Sequence, residues 1–172
     1  MTPAQQAAAQ AVIDGPRGAL YGPFVPLLRS PELMDHVQRL GEYLRYRSAL
    51  GTRLSELAIL ITARHWDQQV EWAIHAPVAA QAGISEEMIE DVAHARRPSS
   101  MSDEEAAVYD FSRELNRNKG VSDPAYAKAL ALFGERGVVD LLAINGYYTL
   151  LAMVMNAAQT AAPGSPLPRR TA

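Results

Sequence analysis

The sequence predicts an all-α protein, a bundle of about seven or eight helices. Three observations carry this: helix-entry signals recur along the chain, apolar residues return at spacings of three and four, and β-strand patterns are nearly missing. No repeat of fixed period calls for a solenoid.

Ser30-Pro31-Glu32 places a capping residue before a proline, whose missing N–H would be unpaired in the first helical turn anyway. A helix is expected over about Pro31–Ser48. Gly51-Thr52 breaks the chain, and Leu54, Leu57, Ala58 and Ile61 then mark a second helix over about Arg53–Arg64. His65-Trp66-Asp67 reads as a joint in which Asp67 caps the next helix, Gln68–Gln81. Pro77 lies inside that helix and predicts a local loosening near His75. Ser85-Glu86-Glu87 starts another, and Ser102 with Glu105 forms a capping box of the S-x-x-E type. Asp123-Pro124 repeats the cap-then-proline device, a last long helix is expected from near Gly137, and Pro163 ends it. Residues 1–162 are read as one helical domain and 163–172 as a flexible tail.

At 172 residues, 48% hydrophobic and 20% charged, the chain is long and apolar enough for a packed core. The formal charge is -3 and the 14 arginines and two lysines are scattered, which argues against a nucleic-acid partner. Cysteine is absent, so there is no thiolate nucleophile, disulfide or cysteine-ligated zinc. Met1–Gln10 lacks the pattern of a secretory signal, and a cytoplasmic protein is expected. Val138–Ala158 approaches the length of about 20 apolar residues that a membrane span needs. Asp140, Asn145, Gly146 and Asn156 interrupt it, which favours a buried core helix and no membrane partner.

The polar chemistry is concentrated between Ser55 and His75. Glu71 and His75 are four apart, so on a helix they share a face and can exchange a proton. The same spacing also describes an ordinary surface ion pair. Glu56 falls in the first turn of its helix, where the helix dipole favours a carboxylate without any function. No H-E-x-x-H spacing supports a metal site, and none is assigned.

The stretch from Glu56 to Ile89 resembles the alkylhydroperoxidase D / carboxymuconolactone decarboxylase superfamily. In its thiol-bearing branch a glutamate is followed by two cysteines and a histidine, and the matching positions here are Glu56, Gln68, Glu71 and His75. With both cysteines replaced, thiol peroxidase chemistry is excluded. Glu71-x-x-x-His75, followed by Ala79 to Gly83, is similar to the decarboxylase branch. The resemblance implies cofactor-free decarboxylation or proton transfer on a small carboxylated lactone or enolisable acid. His75 would be the general acid/base, Glu71 would tune it, and Glu56 would be a third catalytic residue. A non-catalytic binding protein of the same fold is the alternative.

An arginine suits a substrate carboxylate because its planar fork engages both oxygens; Arg45 and Arg64 are the candidates carried forward from the arginines flanking this region. Gln68, Trp72 and Tyr147 are further candidate substrate contacts. Tyr147 and Tyr148 should face different ways, so at most one is expected in a pocket. The stiff apolar run from Tyr21 to Pro26 is either a cover over the site or a plain connector. The resemblance also implies a homo-oligomer, a trimer or hexamer.

Overall fold

In a computed structural model, which describes residues 1–162, 167 and 168, the described residues form eight α-helices and no strand. In chain order these are α1 (Pro3–Asp14), α2 (Phe24–Leu27), α3 (Pro31–Tyr46), α4 (Gly51–His65), α5 (Gln69–Gln81), α6 (Glu86–Ala93), α7 (Asp103–Asn118) and α8 (Asp123–Ala157).

The hydrophobic pattern decides which helix is central. From Leu54 to Arg64 every residue of α4 is buried, as a helix apolar on all sides must be. It packs against α5, α7 and α8, and also touches α3 and α6. The flanking helices are amphipathic and contribute one stripe each: Met34, Val37, Gly41 and Leu44 from α3, and Met88 and Val92 from α6.

Helix entries are set by short-range polar bonds. The Ser102 hydroxyl accepts the Glu105 N–H at 3.2 Å while Ser102 N–H donates back to the Glu105 carboxylate at 2.8 Å. Ser85 caps α6 through the Met88 N–H at 3.1 Å. Other entries differ from expectation. Ser30 precedes α3 but its side chain makes no capping bond. Asp67 does not cap α5: it adopts a left-handed φ of 49°, and the Gln68 amide oxygen accepts the Val70 N–H at 2.6 Å instead. Ser122, not Asp123, is the residue before α8. Helix α1, which was not expected, starts at a capping box of Thr2 and Gln5. Helix α5 continues through Pro77.

The last helix begins fourteen residues before Gly137, at Asp123, and breaks at Gly134, where φ is 66° and ψ 177°. Its second segment carries the apolar run whose length and composition would allow a membrane span, yet 56% of that window is buried. The polar residues that interrupt the run have protein partners. The Asp140 carboxylate accepts the Ala49 N–H at 2.8 Å and the Tyr43 hydroxyl at 3.1 Å. Asn145 accepts from Thr62 at 3.0 Å and Asn116 at 2.8 Å, and donates to Ser112 at 3.0 Å and to the Leu141 carbonyl at 2.9 Å. This satisfied network ties α4, α7 and α8 together inside the core.

The expected flexible tail, 163–172, lies outside the described residues except at Leu167 and Pro168. There Leu167 is buried, and the Pro168 carbonyl accepts from Arg64 at 2.5 Å.

Candidate active site

Helices α4 and α5 pack along each other, which brings Glu56 to His75 across nineteen residues of sequence. The Glu56 carboxylate lies 2.6 Å from His75 Nδ1, and the Glu71 carboxylate 3.2 Å from Nε2. All three side chains are at most 4% exposed, so the Glu71–His75 pair is not a surface ion pair. The Tyr148 ring stands edge-on to the imidazole at 5.1 Å and 89°, and Tyr147 stands edge-on to Tyr148 at 5.2 Å.

Burial acts against a charged imidazole here. The hydrogen bonds and charges of Glu56 and Glu71 outweigh it and raise the His75 pKa to about 9. At neutral pH the ring is therefore an imidazolium donating from both nitrogens. Burial raises the Tyr147 phenol to about 12, against the lowering influence of the nearby Arg17 guanidinium. The Tyr148 phenol is raised well above its usual value by burial and then by the two glutamates.

Glu71, His75, Tyr147 and Tyr148 line one small cavity together with Arg17 and Arg45. Glu56 is behind the ring rather than in the lining, so it fixes one edge of His75 while Glu71 meets the cavity at the other. Tyr21, Pro23 and Phe24 form part of the wall, so the stiff N-terminal run covers this cavity, folded as the single turn of α2 with its approach. Arg17 is held there by Phe24, whose ring lies 4.7 Å beneath its guanidinium, and by the Gln38 carbonyl at 3.2 Å. Gly41 makes room for this corner: a Cβ at that position would stand 2.0 Å from the Tyr147 hydroxyl and 2.6 Å from Arg17 Nη2.

Arg17 and Arg45 bring two guanidinium groups to the lining beside Glu71 and His75. The Arg17 guanidinium lies beside the buried Tyr147 hydroxyl and acts on it through charge and a side-chain hydrogen bond. Among the described residues no group of three or more acidic or histidine side chains is arranged to hold a metal ion.

Five further candidates from the sequence separate into two sets. Arg45 and Tyr147 line the cavity, and Tyr148 lines it as well, contrary to the expectation that only one tyrosine could. Gln68, Trp72 and Arg64 do not line it. Gln68 caps α5 and donates to Asn156 at 2.7 Å, Trp72 is buried in the core, and Arg64 lines a different cavity between α4, α6 and α7. Arg17 was not singled out by the sequence; the only pointer was its position four residues before the stiff run at Tyr21.

The carboxymuconolactone decarboxylase family model matches residues 31–114, which include Glu56, Glu71 and His75. Over that stretch, just under half of its length, the chain is similar to the carboxymuconolactone decarboxylase family. A crystal structure of a protein of unknown function from Agrobacterium tumefaciens, described as an AhpD-type antioxidant defence protein, superimposes with a TM-score of 0.72. The alignment covers 81% of this chain and 96% of that one at 18% identity, a likeness that shows the AhpD-like fold. No curated protein matches the chain. The family match lies on α3 to α7, whereas Tyr147 and Tyr148 come from α8, beyond the matched residues.

Proposed function

We propose that the protein is a cofactor-free carboxy-lyase or proton-transfer enzyme acting on a small carboxylated lactone or enolisable acid. The observation that carries this reading is the Glu56–His75–Glu71 relay, buried yet ending at a cavity that also presents Arg17 and Arg45.

Arg17 and Arg45 would hold the substrate's carboxylates. In a decarboxylation the C–C bond to the carboxylate breaks, carbon dioxide leaves, and the electron pair passes into a conjugated carbonyl as an enolate. The proton then needed at carbon comes from His75 through its Nε2 face, where the 3.2 Å contact to Glu71 is longer than the 2.6 Å contact to Glu56. Glu56 is the positioning partner. It holds the ring and stabilises its charge while Nε2 exchanges protons with the cavity.

The cavity measures about 30 Å³ and holds no more than a water or two. Substrate entry therefore requires the Tyr21–Phe24 wall to move outward, which would close again to exclude water. The small volume is also what favours the second reading, a binding homologue whose chemistry has been lost.

A panel of carboxylated unsaturated lactones and β-keto acids tests the proposal, with carbon dioxide release and solvent deuterium incorporation as readouts. Wild-type turnover is expected on at least one compound, with a loss of about 10²–10⁴-fold in Glu71→Gln and His75→Gln. Calorimetric binding without any product across the panel would refute catalysis and leave the binding homologue.

A further inference from the structure

A second cavity, larger than the one at His75, lies elsewhere in the described residues. It measures about 410 Å³, lies between α4, α6 and α7, and shares no lining residue with the candidate active site. Its walls are of two kinds. Ile61, Val92 and the Tyr109 ring supply apolar surface, while Arg64, Arg113 and Arg117 supply cations, and among the described residues no acidic side chain contributes to the lining.

Arg113 and Arg117 are one turn apart on α7, an arrangement of like charges that weakens a helix. No described residue offers either a hydrogen bond or an ion pair. The acids beside them in sequence are already engaged. Asp110 is held by both arms of Arg97 at 2.8 and 2.9 Å, and Glu114 accepts from Ser122 at 2.7 and 3.1 Å. Arg64 is committed differently, to the Pro168 carbonyl and to Asp67 at 3.5 Å, and serves as a fixed wall. Tyr109 is fixed as well, its hydroxyl donating to the Arg96 carbonyl at 3.0 Å.

The geometry points to a second ligand site here, for a small organic anion that places an apolar or aromatic body against Ile61, Val92 and Tyr109 and its anionic group between Arg113 and Arg117. Two planar guanidinium groups at one mouth suit the oxygens of a carboxylate or phosphate, and a cavity of this volume suits a body of one or two rings. The site stands whichever way the reading of the His75 cavity is decided, since it uses none of the same residues.

Titration calorimetry with 2-naphthoate, 2-naphthyl phosphate and the neutral naphthalene-2-methanol tests it on the full chain. The expected result is one site per chain for at least one anion, weakened by added salt, with the neutral compound at least tenfold weaker. Arg113→Ala/Arg117→Ala should weaken the anion at least tenfold. Arg117→Glu should do the same. Both arginines are exposed, so circular dichroism and the thermal midpoint should stay at wild-type values. The two anions separate carboxylate from phosphate preference. Absence of binding at millimolar ligand, equal affinity for the neutral compound, or wild-type affinity in the double variant would each overturn the site.

Discussion

An imidazole in an unfolded chain titrates near 6.5, while that of His75 in the folded protein is raised to about 9 between Glu56 and Glu71. The folded state therefore binds the proton more tightly than the unfolded one. The resulting stabilisation is complete below pH 6.5, declines as pH rises through 9, and is up to about 3 kcal/mol. Urea unfolding between pH 6 and 10 should show this loss in the wild type and a flatter profile in His75→Gln. An identical slope in the two proteins would show that His75 is not the group responsible. Of the candidate site, spacing alone put Glu71 and His75 on one face, because four residues make one turn, but did not separate a buried pair from a surface one. Glu56 was legible only through the family pattern, since its contact depends on how α4 meets α5. Gln68 and Trp72 share the sequence neighbourhood but differ in destination: Gln68 is consumed in capping, and Trp72 is one position round the helix from Glu71 and enters the core. Arg17 arrives from a turn far upstream, and no local pattern announces that.

Helix starts were readable where a side chain has one nearby N–H to satisfy, as at Ser85 and Ser102. They were ambiguous where two candidates adjoin. Ser122 and Asp123 can each precede Pro124, and proline tolerates more than one place in a first turn, so it does not fix the register. Gly134 gave no clear sign of being a break because one glycine is also tolerated inside a helix. Its φ of 66° and ψ of 177° belong to a region essentially reserved for glycine, and an added Cβ would meet nothing within 4 Å. A substitution there therefore acts through the backbone alone. Gly134→Ala should destabilise by about 1–3 kcal/mol and lower Tm by about 2–10 °C in a thermal melt. An unchanged Tm would mean that the kink between 123–133 and 135–157 is not a required feature.

For the molecule as a whole, the apolar run in α8 has two destinations. Leu141, Ile144, Tyr148, Leu151 and Met155 face the core, whereas Val139, Leu142, Leu150 and Met153 are 62, 38, 38 and 49% exposed. The exposed four recur at helical spacing, with Gly146 between Leu142 and Leu150, and a Cβ on that glycine would meet nothing in its own chain. The sequence could show that this helix is apolar on more than one side but not which side its own core would take. We propose that a second copy of the chain covers the remaining stripe, as a neighbouring helix could approach closely at Gly146. Light scattering should then give a mass that is a multiple of the chain's own. Leu142→Glu/Leu150→Glu would place two charges in that contact and should yield monomers of unchanged helicity, because neither side chain belongs to the core. A monomeric wild type, or a double variant of undiminished mass, would remove α8 from the interface and leave the stripe as plain exposed surface.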